Sequence, residues 1–353
     1  MRILFTCGRE PTYPRNALLL KMLKQRYDVI EITETSQSLS LRYARVGWKL
    51  LTNHIPYDIA FVGFLGHPLM LLVPYIIKRP VIFDMFVSFY DTLCLDRAWI
   101  SPRSIAGKLA LWLDKTALRN SSKTLIDTRT HGNYIAKILD WPAQQFTPLF
   151  VGCDDSIFFP RNIPKVTAQY INVLYYSSYL PLHGTEIILR AANRLKSYPQ
   201  IRFKFIGGGS QIRNAYQLAQ KLQLTNVEFF PPVPLSGLPI EIATADICLG
   251  GHFSTIPKAA NVIAGKTFQC LAMGKATIVG DNPANRELLT PQYDALFCPM
   301  GNEVALADAI LTLAKDDQLR AYLGNNALQT FQEHASINAL QPQLYHIIET
   351  ISV

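Results

Sequence analysis

A short run of residues in the C-terminal half has the types and spacing needed to bind a phosphate group. Gly265, Lys266 and Thr267 begin a helix that is predicted over residues 265–273. The first backbone amides of a helix lack internal acceptors and lie at the positive end of its dipole, so they can bind an anion. Lys266 adds a full positive charge, and Gln269, one turn later, could hydrogen-bond a ligand hydroxyl. The alternative is an ordinary helix start, because Gly-Lys-Thr is a short motif.

Other candidate ligand-binding residues of this half follow predicted strands or lie just before the predicted helix. The glycines among them allow close approach to the backbone, and the polar side chains can bind phosphate or hydroxyl groups. The alternatives are a helix cap for the histidine and the glutamate, and a plain strand–helix turn for the glycines. The glycine run at 207–209 lacks the third glycine of a dinucleotide-binding fingerprint, which disfavours a nicotinamide site. The residues are Ser178, His183, Gly184, Gly207, Gly208, Lys258, Asn261 and Glu287.

The N-terminal half offers fewer candidate residues, again near the ends of predicted strands. Gly8 and Arg9 follow the first strand, and Asp84 lies near the end of the fourth. Arg129 and His131 follow the fifth strand. Arg9 and Arg129 could bind an anionic substrate, whereas Asp84 and His131 are the candidate catalytic groups. The alternatives are a solvated arginine and a structural histidine.

A sheet whose strands all run in one direction would bring these residues to one edge. Short apolar runs alternate with segments of helical period, which is typical of parallel, doubly wound α/β sheets. Ligands of such sheets bind beyond the carboxyl ends of the strands, and two facing domains of this kind would form a deep cleft. Strands are predicted at 2–6, 27–32, 57–62, 80–86, 123–127, 171–176, 202–206, 227–230, 247–249 and 276–279, and helices at 15–25, 104–119, 185–196, 211–222, 265–273, 303–315 and 337–351.

Length and composition agree with two α/β domains. The chain has 353 residues, of which 49% are hydrophobic and 17% charged. This length favours two domains, and the composition excludes a disordered or collagen-like chain. The six cysteines are scattered and form no Cys-x-x-Cys pair, which indicates free thiols in a reducing compartment. The sequence has no signal peptide and no apolar run of about 20 residues, so we expect a cytoplasmic protein.

The positive net charge indicates an anionic partner. The formal net charge is +8 and the pI is about 9.1, and residues 1–160 hold most of the excess, with 19 basic and 13 acidic residues. The segment 39–52 places Arg42, Arg45 and Lys49 at spacings of three and four among apolar residues. Such a basic amphipathic helix could lie on the inner face of an anionic membrane. The alternative is an ordinary surface helix, and no motif predicts nucleic-acid binding.

Four sequence blocks occur together in the order found in one enzyme family. They are KTFQCLAMGKATIVGDNPANRE at 266–287, YSSYLPLHG at 176–184, FIGGGS at 205–210 and FVGCDDSIFFP at 150–160. Together they resemble the donor-binding domain and interdomain hinge of GT-B glycosyltransferases, specifically the large retaining family four, or glycosyl transferases group 1. The N-terminal half matches that family in its strand layout alone.

The resemblance implies two facing Rossmann-like domains with a cleft between them. An acceptor-binding domain would cover 1–160 and a donor-binding domain 161–336, and a helix over 337–353 would cross back onto the first domain. The implied reaction moves a sugar, with retention, from a UDP- or GDP-sugar to an acceptor hydroxyl in glycan or glycolipid biosynthesis. The acceptor would be a glycan, a lipid-linked sugar or a small molecule. Enzymes of this type generally need no metal, the sequence has no Asp-x-Asp motif, and no cofactor besides the nucleotide sugar is expected.

The sequence departs from the family pattern at its acidic signature. The Glu-x7-Glu pair maps onto Asn261 and Gln269, so both carboxylates are amides here. The family's diphosphate-binding Arg and Lys map near Ser178 and His183, so the phosphate charge would rest on Lys258, Lys266 and backbone amides. A degenerate transferase acting as a binding partner and a GT-B epimerase or phosphorylase are the alternatives. The resemblance and the positions of residues after the predicted strands together give the candidate roles: catalysis for Lys266, His131, Asp84 and Asn261; donor binding for Ser178, His183, Gly184, Gly207, Gly208, Lys258, Gly265, Thr267, Gln269 and Glu287; and acceptor binding for Gly8, Arg9 and Arg129.

Overall fold

The chain divides into two compact units. A computed structural model describes residues 1–163 and 169–351. Unit 1 consists of Met1–Val151 and the C-terminal segment from Ile337 onward, and unit 2 is Gly152–Ser336. The division thus precedes the expected boundary at 160/161, and residues 152–160 belong to unit 2. Residues 164–168 and 352–353, which the expected domains include, lie outside the described residues.

Unit 1 is built on one parallel sheet of six strands, in the order β2-β1-β3-β4-β5-β6. A π-helical segment, Asp91–Asp96, and a 3-10 turn, Ala143–Gln145, complete its regular structure among the described residues. Its elements are β1 (Arg2–Cys7), α1 (Pro14–Lys24), β2 (Asp28–Ile32), α2 (Leu39–Leu51), β3 (Ile59–Gly63), α3 (His67–Met70), α4 (Val73–Ile76), β4 (Val81–Asp84), α5 (Ile105–Arg119), β5 (Lys123–Ile126), α6 (Arg129–Leu139), β6 (Phe146–Pro148) and the C-terminal α13 (Ile337–Glu349).

The sheet of unit 1 is covered on both faces. Alternate side chains of a strand point to opposite faces, so Leu4 packs into one hydrophobic core and Phe5 into the other. Helices α2, α3, α5 and α6 cover the first core, and α1 and α13 cover the second. Helix α13 contributes the buried residues Leu340, Leu344 and Ile348 at helical spacing. Burial on both faces explains why the central strands are continuous apolar runs.

Unit 2 has a second parallel six-stranded sheet, in the order β12-β11-β10-β7-β8-β9. Short 3-10 turns at Pro181–His183, Pro257–Ala260 and Asn285–Glu287 follow strands of this sheet. Its elements are β7 (Ile171–Ser177), α7 (Thr185–Arg194), β8 (Ile201–Gly207), α8 (Ile212–Lys221), β9 (Val227–Phe230), α9 (Leu238–Thr244), β10 (Ile247–Leu249), α10 (Gly265–Ala272), β11 (Thr277–Asp281), β12 (Leu296–Pro299), α11 (Glu303–Lys315) and α12 (Asp317–His334). The expected α/β class with two parallel sheets is therefore confirmed.

Helix α2 corrects one expectation about the basic segment 39–52. Arg42 is buried, and its guanidinium donates to the Gly8 carbonyl at 3.1 Å and to the Ser36 carbonyl. Arg45 and Lys49 lie on the outside, where both contact Glu34. The expectation of three outward cations is therefore wrong for Arg42. No helix within the described residues is both long enough and apolar enough to span a bilayer.

Candidate functional site

A glycine turn after β8 packs directly against the loop after β7. Gly207 and Gly209 have φ angles of 131° and 156°, which side-chain-bearing residues rarely adopt. A Cβ at Gly207 would lie 2.0 Å from the Ser177 carbonyl oxygen, and one at Gly209 would lie 1.9 Å from that of Ser178. Only glycine allows this approach of two backbones. The glycines therefore hold the exposed Ser178 loop in place, next to the carboxyl ends of the strands.

The loops after β7 and β10 are joined by a second close contact. Gly184 has a φ of 72°, and a Cβ there would lie 2.5 Å from the Ser254 amide nitrogen. The Phe253 amide donates to the His183 carbonyl at 3.3 Å, and the Ser254 hydroxyl donates to the Leu182 carbonyl at 2.8 Å. This packing brings His183, from the β7 loop, next to a histidine from the β10 loop.

His183 and His252 form a parallel pair of imidazole rings. Their centroids are 5.3 Å apart and their planes differ by 3°. The Ser177 hydroxyl is 2.5 Å from the Nδ1 of His183, and the Leu180 amide donates to the same atom at 3.3 Å. Because Nδ1 is the acceptor for that amide, the proton of the neutral ring lies on Nε2. Burial and the charge of Lys266 lower the pKa of both rings, to about 3 for His252, so both are neutral at pH 7.

Lys266 is the buried cation beside this pair. The residue is 8% exposed, its Nζ donates to the Tyr176 carbonyl at 3.2 Å, and the ammonium lies 4.3 Å from the centre of the Tyr175 ring. Burial lowers the pKa of Lys266 to about 7. No carboxylate of the described residues forms an ion pair with it. Because a buried charge without a counter-ion is costly, this ammonium is well placed to gain from an anionic ligand.

A second buried lysine completes the group. Lys258 belongs to the turn Pro257–Ala260, and its charge contributes to the lowered pKa of His252. Asn261 ends the same turn, with its side-chain amide donating to the Pro257 carbonyl at 2.7 Å. We call Lys258, Lys266, His183 and His252 the Lys–His cluster.

Helix α10 presents its first turn next to the cluster. Gly265 is exposed, and a Cβ there would meet nothing within 4 Å. Gln269 is fixed from the side by Tyr176, whose hydroxyl donates to Oε1 at 2.7 Å, so its NH2 group is the part left to donate. The expected donor-binding role of Thr267 is contradicted, because its side chain is fully buried against Gly250 and exposes no atom to a ligand. The exposed Glu287 ends the turn after β11.

Comparison with known proteins relates the sequence of unit 2 to a known family. A family model described as "Glycosyl transferases group 1" matches residues 159–330. The chain is a glycosyltransferase with a group 1 domain. A search of curated proteins finds no significant match. The resemblance to glycosyl transferases group 1 is thus confirmed.

Solved structures of low sequence identity share the GT-B fold over the whole chain. HepE from Anabaena, solved in complex with UDP, superposes with a TM-score of 0.74 at 16% identity, covering 99% of this chain and 100% of that one. Sucrose-phosphate synthase from Thermosynechococcus elongatus gives 0.79 at 15% identity, with 99% and 98% covered. A glycosyltransferase from Rickettsia africae gives 0.70 at 14% identity, with 99% and 98% covered.

In unit 1 of the glycosyltransferase, the expected catalytic role of Asp84 is contradicted. Its two oxygens accept from the Nε and an Nη of Arg15 at 3.1 and 3.0 Å, and both side chains are buried. Arg15 also donates to the carbonyls of Leu149 and Phe150 at 3.1 and 2.8 Å. Both oxygens of Asp84 are therefore hydrogen-bonded, and Arg15 joins β4 to α1 and to the residues that follow β6. Asp84 is therefore a structural residue.

The other expected residues of unit 1 differ in accessibility. Gly8 packs closely within its own unit: a Cβ there would lie 1.9 Å from the Leu65 carbonyl oxygen, and its amide already donates to the Phe64 carbonyl at 3.1 Å. Arg9 is 40% exposed at its side chain and pairs with Glu10 at 3.1 Å. His131 is fully buried, with Nδ1 2.5 Å from an Asp127 oxygen, and its Nε2 has no hydrogen-bond partner within the described part of the chain. The nearby Arg129 is the first residue of α6.

Sequence reasoning missed His252 and Tyr176. His252 comes three residues after the end of β10, at the edge where ligands of parallel sheets bind. That position could have identified His252 as a candidate ligand-binding residue. Its pairing with His183 could not be predicted, because the two loops are far apart in sequence and come together only in the folded unit. Tyr176 lies in β7 and would have passed for a core residue.

Proposed function

We propose that the glycosyltransferase takes its sugar from a UDP-sugar bound at the Lys–His cluster of unit 2. The observation that carries this proposal is the buried ammonium of Lys266, which has no carboxylate partner among the described residues. A diphosphate would supply the missing negative charge. Support for uridine comes from HepE, whose structures include complexes with UDP and with UDP-glucose.

The cluster can stabilise the charge that develops on the departing UDP. The ammonium of Lys266, the Nε2–H of His183 and the first amides of α10 are all donors that are fixed before the reaction begins. Fixed donors lower the barrier because they need no reorganisation as the leaving group gains charge. The NH2 group of Gln269, held by Tyr176 at 2.7 Å, would donate to the ribose. We propose transfer with retention, in line with the family resemblance.

We propose that the acceptor binds to unit 1. Arg9 is the partly exposed cation after β1 and would bind an anionic part of the acceptor. Arg129 and His131 lie after β5, and Asp127 holds the ring of His131. We propose a cytoplasmic enzyme that adds a sugar to a hydroxyl of a glycan or a lipid-linked acceptor. No metal is needed in this scheme, because two lysines supply the positive charge.

The test is nucleotide binding followed by turnover. UDP at millimolar concentration should raise the melting temperature of the full chain more than GDP does, and Lys266→Met should abolish the shift. Lys221→Met is the matched control, because Lys221 is an exposed lysine at the end of α8 in the same unit. The enzyme is then incubated with each of a panel of UDP-sugars and an acceptor, and the UDP-sugar from which UDP is released is the donor. Absence of any UDP shift contradicts the donor site, and a UDP shift without turnover supports a binding protein that has lost transfer.

A further inference from the structure

Unit 1 exposes large apolar side chains to an unusual degree. Among the described residues, every large apolar side chain that is at least half exposed lies in this unit. Ile105 is 88% exposed, Trp99 66% and Trp112 48%. The most exposed large apolar side chains of unit 2, those of Ile240 and Tyr322, reach 49%. Large apolar side chains that are exposed together on one surface indicate an interaction site.

Helix α5 arranges part of these residues in one stripe. Ile105, Leu109 and Trp112 follow at spacings of four and three, which places them on one face of the helix. The opposite face is buried, with Ala117 and Leu118 in the core that lies against the sheet. The helix therefore has two apolar faces, of which one packs inside the unit. We call Trp99, Ile105, Leu109 and Trp112 the outer stripe.

The exposed charged side chains of α5 beside the outer stripe are positive, whereas at the Trp99 end the half-buried Asp96 precedes Arg97. Lys108 and Arg119 are exposed on α5, and Arg97 lies 4.6 Å from the Trp99 ring. Asp114, the one acid in the sequence of α5, is buried and accepts from the Ser88 hydroxyl at 2.5 Å and from backbone amides. The outward face of α5 thus carries lysine and arginine beside tryptophan and aliphatic residues, with no carboxylate.

We propose that unit 1 docks on an anionic lipid bilayer through the outer stripe. Tryptophan and aliphatic side chains enter the interfacial region, while lysine and arginine bind lipid phosphates. Helix α2 extends the surface: it packs into the same core as α5, so the exposed Trp48 and Leu51 project from the same side of the sheet. The main contact is α5, and not the row of three cations expected on α2.

Vesicle sedimentation with the full chain tests this proposal. The protein should bind vesicles of equal parts phosphatidylcholine and phosphatidylglycerol, and bind pure phosphatidylcholine vesicles at least about tenfold more weakly. Salt at 0.5 M should weaken binding to the anionic vesicles. Leu109→Ser with Trp112→Ser should lower the partition coefficient by about tenfold or more, because apolar area is lost from the interface. Ile240→Ser with Tyr322→Ser, at similarly exposed positions of unit 2, is the control that should leave binding unchanged.

Several outcomes would overturn the docking surface. Equal binding to both vesicle types would show that anionic lipid is not required. Unchanged vesicle binding of the α5 double variant would show that the outer stripe does not contact the bilayer. A wild-type dimer that the α5 variant dissociates, together with no vesicle binding, would show that a second copy covers the surface. UDP binding and the melting temperature of the α5 variant should stay unchanged, so failure here is separable from failure of the donor site.

Discussion

The lowered pKa of Lys266 makes nucleotide binding depend on pH. Burial brings this pKa from 10.5 to about 7 in the free protein, whereas a bound diphosphate favours the charged ammonium and raises the pKa again. Binding above pH 7 must therefore be accompanied by uptake of a proton. The affinity for UDP is highest when Lys266 is already charged, and it falls as the pH rises through the pKa of the free protein.

The size of the effect follows from the two pKa values. If the bound state returns to 10.5, the value of an unperturbed lysine, the dissociation constant of UDP should rise about fifty-fold between pH 7 and pH 9. At pH 7.5 each UDP bound should take up about 0.8 proton. Isothermal titration calorimetry in two buffers of different ionisation enthalpy measures this number directly.

Variants at the same position separate the lysine from other titrating groups. Lys266→Met should bind UDP weakly, with a dissociation constant that hardly changes from pH 7 to pH 9. Lys266→Arg keeps its charge over this range, so its affinity should also be independent of pH. A wild-type dissociation constant that is flat between pH 7 and pH 9, or proton uptake near zero, would refute the assignment of Lys266 as the phosphate-binding cation.

Four further outcomes are expected. Transfer activity should survive EDTA, because Lys258 and Lys266 supply the charge; full loss that added Mg²⁺ restores would contradict this. Asp84→Asn should lower the free energy of unfolding by about 3–5 kcal/mol in urea, without changing UDP affinity in the fraction that remains folded. Gly209→Ala should cost about 1–3 kcal/mol of unfolding free energy and weaken UDP binding, since its Cβ would lie 1.9 Å from the Ser178 carbonyl oxygen. Tyr176→Phe should raise the UDP dissociation constant by about fivefold, from loss of the 2.7 Å hydrogen bond to Gln269; an unchanged constant would remove Gln269 from the ribose site.

The strands and helices with a strong local signal were predictable from the sequence. β9, β10 and α11 have the predicted bounds, 227–230, 247–249 and 303–315. The edge strands β6 and β12 were missed, because each is three or four residues long and ends in proline. Helix α12 was also missed, since Gly324 and its two following asparagines lower its local helix propensity.

The candidate site was predictable only where it is local in sequence. Lys266 was found because it begins a helix, and helix starts have a recognisable pattern. The pairing of Asp84 with Arg15 joins positions 69 residues apart, and sequence spacing gives no information on such a contact. The same holds for His183 and His252, whose stacking depends on Gly184 packing against the next loop. The inward turn of Thr267 depends on the approach of α10 to Gly250.

The central claim is that unit 2 binds a nucleoside diphosphate at the Lys–His cluster. A crystal structure of the full chain with UDP tests it most directly. We expect the β-phosphate within hydrogen-bonding distance of the Lys266 ammonium and the Nε2 of His183, and the ribose next to Gln269. UDP bound elsewhere, or an unliganded cluster at saturating UDP, would contradict the account.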